Sequence, residues 1–372
     1  MDTNRSAALD AFRGITIAFM IIVNTPGTWA YVYAPLRHAE WHGCTPTDLV
    51  FPFFLFIVGV AMRFSLKRFD YTFSPDITKK ILVRMFTIFS LGLLLSAFPI
   101  IRQDWNWENF RIMGVLQRIG LSYGCAALLI LKLNHRQLVI FSGALLLLYW
   151  LILWCFGIFS GLDPYSLESN LPRWIDLVLF GDSHLYHGTG IPFDPEGLLS
   201  TLPAITTVII GYITGKTIQE MENGIKKIKY LLKMGATITV IGWIWGFLFP
   251  INKQLWTSSY VLFTGGLAIM ALAIIIFFVD IKGLKKLAQP FIVFGTNSIF
   301  LFVASGLWVK TILKIKFILN GKTVSGYTYL YQTVFQPLAG NLNGSLLFAL
   351  SNAVVWWLVL YYMYRKNIFI KV

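Results

Sequence analysis

Apolar runs of about twenty residues, separated by short polar and basic stretches, recur along the 372-residue chain. A helix needs about 20 mainly apolar residues to cross the hydrocarbon core of a bilayer. Segments of that kind lie near 13–32, 48–66, 81–101, 112–131, 137–159, 198–217, 230–249, 258–279, 289–309 and 344–364. Helices are the open-chain solution in lipid, because backbone polar groups there must bond within their own segment. The pattern predicts an all-α, polytopic integral membrane protein with about ten transmembrane helices, forming a single domain over residues 1–372. No internal repeat or low-complexity tract divides it.

Composition sharpens this picture. Apolar residues make up 56% and charged residues 13%, about half the roughly 25% charged content of a soluble domain. That excludes a disordered chain, a secreted disulfide scaffold and an ordinary soluble enzyme. The net charge of +14 invites a nucleic-acid reading, yet the Lys and Arg residues fall in small groups between apolar runs instead of clustering on one element. Placing both termini in the cytoplasm puts 21 basic residues in inner segments and 9 in outer loops, the bias of the positive-inside rule. The four lysines after the ninth segment run against it. The expected location is a cell's inner (plasma) membrane, with no cleavable signal peptide after the polar Met1–Asp10 stretch. Cys44, Cys125 and Cys155 have no metal-ligand spacing and read as small hydrophobes.

Polar residues in or beside spans are costly and are functional candidates by default. Asn24 ends an apolar run and precedes Thr25-Pro26-Gly27, where the helix should break, and it either caps that break or faces a polar cavity with His38. His38 lies in Arg37-His38-Ala39-Glu40-Trp41-His42-Gly43, and a neutral imidazole suits proton abstraction near pH 7. His42 competes for that role. Asp48 opens the second span, as a partner for a histidine or as a favourable charge at a helix start. Arg118, one turn inside the fourth span, needs a carboxylate such as Asp48 or Glu196, or an anionic ligand. Lys80 and Arg84, at the inner start of the third span, suit a phosphate-bearing ligand entering from the cytoplasm, and for Lys80 snorkelling to lipid headgroups is an equal reading. Three clusters, Asp194-Pro195-Glu196-Gly197, Asn252 to Tyr260 including Trp256, and Gly295-Thr296-Asn297-Ser298, supply the carboxylates, amides, hydroxyls and aromatic plane of a sugar site. Caps and aromatic belts use the same residues. Asp182, His184 and His187 lack a zinc-site pattern, and no metal is expected. A proton-coupled transporter or exporter of a sugar or other polar solute is the competing class.

At these residues the chain resembles the transmembrane acyltransferases typified by lysosomal heparan-α-glucosaminide N-acetyltransferase and its bacterial relatives. The resemblance runs through Leu9-Asp10-Ala11-Phe12-Arg13-Gly14, Val23-Asn24, His38-Ala39-Glu40-Trp41-His42-Gly43 and Asp48-Leu49-Val50-Phe51-Pro52-Phe53. It continues through Arg111 to Arg118, Asp194-Pro195-Glu196-Gly197, Asn252-Lys253-Gln254-Leu255-Trp256 and Asn297-Ser298. It implies transfer of an acetyl group from cytosolic acetyl-CoA to an amino sugar or glycan on the periplasmic side, with no metal. His38 matches the family's catalytic histidine and Asn24 a polar residue beside it, which makes His38, Asn24 and Asp48 the expected catalytic set. Arg84, Arg118 and Lys80 are the expected contacts of acetyl-CoA. Glu196, Asp194, Asn252, Trp256, Asn297 and Ser298 are those of the sugar. The resemblance also implies that the sequence begins at the shared core, where the lysosomal enzyme has a lumenal domain and one more helix. The expected partners are the acyl donor, the sugar acceptor and the lipid bilayer, and a homodimer is one assembly the chain could form.

Overall fold

The computed structural model describes residues 7–99 and 109–370. Arg5, Arg102 and Lys371, counted in the charge balance above, lie outside the described residues. In chain order the helices are α1 (Ala7–Asn24), α2 (Val50–Leu66), α3 (Pro75–Ala97), α4 (Val115–Lys132) and α5 (His135–Ser160). Then come α6 (Leu171–Phe180), α7 (Thr201–Glu220), α8 (Gly224–Trp245), α9 (Ser258–Ile276), α10 (Lys285–Thr296) and α11 (Ser298–Lys314). A small antiparallel hairpin, β1 (Lys316–Leu319) and β2 (Lys322–Ser325), precedes α12 (Gly326–Leu330) and α13 (Gln336–Arg365).

Among the described residues, seven helical stretches are long and apolar enough to cross a bilayer, and the bent pair α10 and α11 makes an eighth. The protein is thus an all-α polytopic membrane protein. At 20 and 22 residues, α7 and α8 have the length but not the apolarity. The first half of α8 carries Lys226, Lys227, Lys229 and Lys233. Over the described residues, which leave out 100 and 101 of the third, all ten predicted segments coincide with helix, but three of them need correction. The first does not run to residue 32, because α1 stops at Asn24. The ninth is two helices meeting at 68°. The tenth starts earlier than expected, in a helix broken by the left-handed Gly340 (φ 74).

The fold divides into two units. The described part of one comprises residues 7–39, 45–50 and 278–370, and of the other residues 40–44, 51–99 and 109–277. In the first, α1 packs on α10 and α13 at very close range. A Cβ on Gly14 would fall 1.6 Å from the Phe291 carbonyl oxygen, and one on Gly295 would fall 2.1 Å from that of Asp10. Small residues that let helix backbones touch are the usual adhesive inside a membrane, where apolar burial between helices gains little. The end of α1 is closed by Thr25, whose N–H and Oγ1 both donate to the Ile21 carbonyl, at 3.1 and 2.8 Å. Pro26 cannot continue the helix. The emerging strand is then held by Ser345, which accepts from Gly27 N–H at its carbonyl and from Thr28 N–H at its hydroxyl.

In the second unit, α3 packs on α4, α4 and α5 on α7, and α8 on α9. Glycines again set the closest approaches. A Cβ on Gly59 of α2 would lie 1.9 Å from the Val208 oxygen of α7, and one on Gly211 of α7 would lie 2.0 Å from that of Phe56. Within this unit Tyr149, Leu153, Leu171 and Phe249 form a buried apolar group that includes part of the 160–197 connection.

Candidate active site

The connection from α1 to α2 contains a short turn, Pro46–Leu49, with Thr45 before it and Pro46 at its first position. This turn carries Asp48, which is 2% exposed. Three N–H groups converge on its carboxylate. His38 Nδ1 lies 2.6 Å from Oδ1, and the backbone N–H groups of Ala39 and Thr45 each donate to Oδ2 at 3.0 Å. The loop is braced around them. Thr45 Oγ1 donates to the Arg37 carbonyl at 2.7 Å, and Arg37 Nε donates to that of Val32 at 2.8 Å.

This geometry fixes the chemistry of His38. An ionised carboxylate only accepts, so the hydrogen on the neutral ring sits on Nδ1 and Nε2 carries the lone pair. The side chain is 43% exposed. A carboxylate-oriented imidazole with its ring part open to solvent is the arrangement of a general base. Asn24, at the end of α1 in the same unit, is exposed and makes no hydrogen bond to either member of the pair. The helix break that it precedes is capped by Thr25 instead.

The second unit holds most of the other expected residues, and the structure engages them with one another. Arg111 forms a bidentate pair with Asp194, Nε to Oδ2 at 2.8 Å and Nη2 to Oδ1 at 2.7 Å, and its Nη2 also donates to Glu196 at 2.6 Å. Asp194 and Glu196 therefore clasp the segment leading into α4. Arg118 is fully buried and forms no salt bridge with Glu196 among the described residues. Its Nη2 donates to the Gly197 carbonyl at 3.2 Å and to Ser200 Oγ, and its guanidinium lies 5.0 Å from the ring centre of Trp256. Trp256 itself is 1% exposed. Its indole N–H donates to Thr207 Oγ1 at 3.2 Å, and its ring stands edge to face with Phe51 and Tyr260. The plane expected for a sugar is thus covered on the described side by protein.

Asn252 is also wholly buried. Its Oδ1 accepts from Leu255 N–H at 2.8 Å, and its Nδ2 donates to the Trp41 carbonyl at 2.9 Å. Beside this network, Asp176 of α6 accepts from Leu198 N–H at 3.0 Å while its Oδ2 has no partner among the described residues. Burial pushes its carboxyl up to about 7. The charge of Asp194 adds to the rise, and the Leu198 hydrogen bond and Arg118 oppose it. Gly197 is needed here, since a Cβ would sit 1.8 Å from Asp176 Oδ2.

On α3, the exposed Lys80 lies over the Phe69 ring at 4.9 Å, and Arg84 lies over that of Tyr123 at the same distance, with its Nε buried and without a partner among the described residues. In the first unit, Asn297 ties down the C-terminal stretch, its Nδ2 donating to Ile368 O at 3.0 Å and its Oδ1 accepting from Ile370 N–H at 2.8 Å. Ser298 follows at the start of α11. His184 bonds the Phe110 carbonyl at 2.7 Å and His187 lies 3.1 Å from Asp182.

Sequence reading singled out candidate residues in each unit but not the partners that hold them. Arg111 is the case in point: its carboxylates lie 83 and 85 residues away, and only the fold joins them. The same holds for Trp41, whose indole N–H donates to the Tyr165 carbonyl at 2.7 Å across 124 residues.

A family model described as heparan-alpha-glucosaminide N-acetyltransferase, catalytic, matches residues 5–244. The chain is similar to the heparan-alpha-glucosaminide N-acetyltransferases of Homo sapiens and Mus musculus, at 28% and 27% identity over 99% of this chain. It spans 60% and 61% of the length of those two relatives.

Proposed function

The chain belongs to the heparan-alpha-glucosaminide N-acetyltransferase catalytic family, and from that premise we propose that it is a membrane-embedded acetyltransferase. It moves an acetyl group from cytosolic acetyl-CoA to an amino sugar or glycan on the periplasmic side of an inner membrane. The observation that carries this reading is the Asp48-oriented, part-exposed imidazole of His38, which lies within the family-matched residues.

Acyl transfer from a thioester needs a deprotonated nucleophile and stabilisation of the developing oxyanion. As the acceptor nitrogen attacks the acetyl carbon, His38 Nε2 takes its proton and the C–N bond forms. Asp48 holds the ring in place and balances the imidazolium. The tetrahedral oxyanion accepts a hydrogen bond from the Asn24 amide. The C–S bond then breaks, and the proton passes from Nε2 to the departing CoA sulfur. Direct transfer with both substrates bound needs no acetylated enzyme. Lys80 and Arg84 meet the CoA phosphates. Arg118, Asp194, Glu196, Trp256 and Asn297 act as framework, since each is engaged by protein.

The test is transfer of label from acetyl-CoA to glucosamine by the purified protein in detergent. Product that forms with wild type and disappears with His38→Ala supports the reading. Saccharide uptake into liposomes without acetyl transfer contradicts it and favours a transporter.

A further inference from the structure

Four residues along the chain from His38 stands a second imidazole whose proton position is set by the fold. Asn252, in the same unit as His42, has only one amide orientation open to it. With Oδ1 facing Leu255 N–H and Nδ2 facing the Trp41 carbonyl, reversing the amide would set N–H against N–H and oxygen against oxygen. The second hydrogen of Nδ2 then points at His42 Nδ1, 3.3 Å away. A donor needs a lone pair opposite it, so Nδ1 is unprotonated and the neutral ring carries its hydrogen on Nε2.

The loop that presents this ring is pinned on both sides. Gly43 N–H donates to the Ile251 carbonyl at 2.7 Å, and Trp41 is held through its indole N–H on Tyr165 and its edge against Phe193, 5.5 Å between centres. His42 is exposed, and its Nε2–H has no partner among the described residues. Burial lowers its proton affinity against the pull of Asp163, which keeps the ring neutral near pH 7. A neutral N–H donor suits an uncharged acceptor oxygen such as a hydroxyl. The half-buried Trp41 ring, 6.2 Å from His42, adds an apolar surface.

We propose that Asn252 is a positioning residue that locks His42 as an Nε2–H donor, and that this donor binds a hydroxyl oxygen of an amino-sugar acceptor. The identity of the acceptor rests on the acetyltransferase reading above; the tautomer rests on the hydrogen bonds alone. A Gln side chain places its amide N–H near the reach of Nε2, whereas Asn reaches only as far as Nδ1. In His42→Asn the KM for glucosamine rises roughly five- to tenfold, the loss of one hydrogen bond, while the KM for acetyl-CoA and kcat stay within about twofold. His42→Gln recovers most of that loss. Equal losses in both variants, or a shift confined to the KM for acetyl-CoA, overturn the proposal.

Nitrogen NMR of histidine-labelled protein in nanodiscs gives a second readout. His42 should show an unprotonated Nδ1, and Asn252→Asp should move a proton onto it. A wild-type ring protonated at Nδ1 refutes the lock. Adding glucosamine without acetyl-CoA should shift the His42 signals. That shift in a protein that transfers no acetyl would sink the enzymatic reading and leave the site standing. Acetyl transfer with no shift and an unchanged glucosamine KM in His42→Asn would do the reverse.

Discussion

Asp48 decides which nitrogen of His38 can act as a base. Asn at that position would keep an oxygen for the Ala39 and Thr45 N–H groups and turn its NH2 toward His38 Nδ1. The ring would then carry its hydrogen on Nε2 and have no lone pair for the acceptor. Asp48→Asn should lower kcat by roughly 10²–10⁴-fold, as loss of the base itself would, with little change in either KM. Initial rates at varied substrate check this, and a KM effect alone would point to a loop defect. His38 and Asp48 were legible in the sequence because their types and their place between two apolar runs suit one chemistry. Asn252 and Trp256 were legible as polar and aromatic outliers but not in their roles. Spacing along a chain does not show that an amide spends its hydrogens on Trp41 and His42, or that an indole is sealed by Arg118, Phe51 and Tyr260.

Helix positions were readable from hydropathy, and their contacts were not. Gly14 and Gly295 read as ordinary small residues until α1 and α10 are seen to meet through them. Gly14→Val forces backbones apart and should cost about 1–3 kcal/mol, the range for overpacking. Gly143→Ala on α5, where a Cβ meets nothing within 4 Å, should be neutral to stabilising by up to about 1 kcal/mol. Thermal denaturation in detergent separates the two. The short α6 adds a pH term through Asp176. Its carboxyl is raised from 3.8 to about 7 in the folded state, so the fold binds that proton more tightly than the unfolded chain. Stability from this group is full below about pH 4 and is lost as pH rises toward 7. Asp176→Asn should flatten that decline. A wild-type melting temperature that rises across the same window relative to Asp176→Asn would contradict it.

For the molecule as a whole, the apolar pattern marked each helix of spanning length among the described residues, and the errors lie where a break or bend is made by single residues: Pro26, Asn297 and Gly340. The bias of basic residues predicts both termini in the cytoplasm. In a protein whose Cys44, Cys125 and Cys155 are replaced by serine, a thiol at Lys366→Cys should react with an impermeant reagent only from the cytoplasmic side, and one at Asp163→Cys only from the other. Reaction of both from one side would overturn the topology. The central claim concerns His38, and the most direct measurement is the turnover of acetyl-CoA to acetylated glucosamine by wild type and His38→Ala with both substrates saturating. Loss of a general base predicts a fall in kcat of roughly 10²–10⁴-fold with the protein still folded. A folded His38→Ala protein that turns over within a few-fold of wild type would contradict the account.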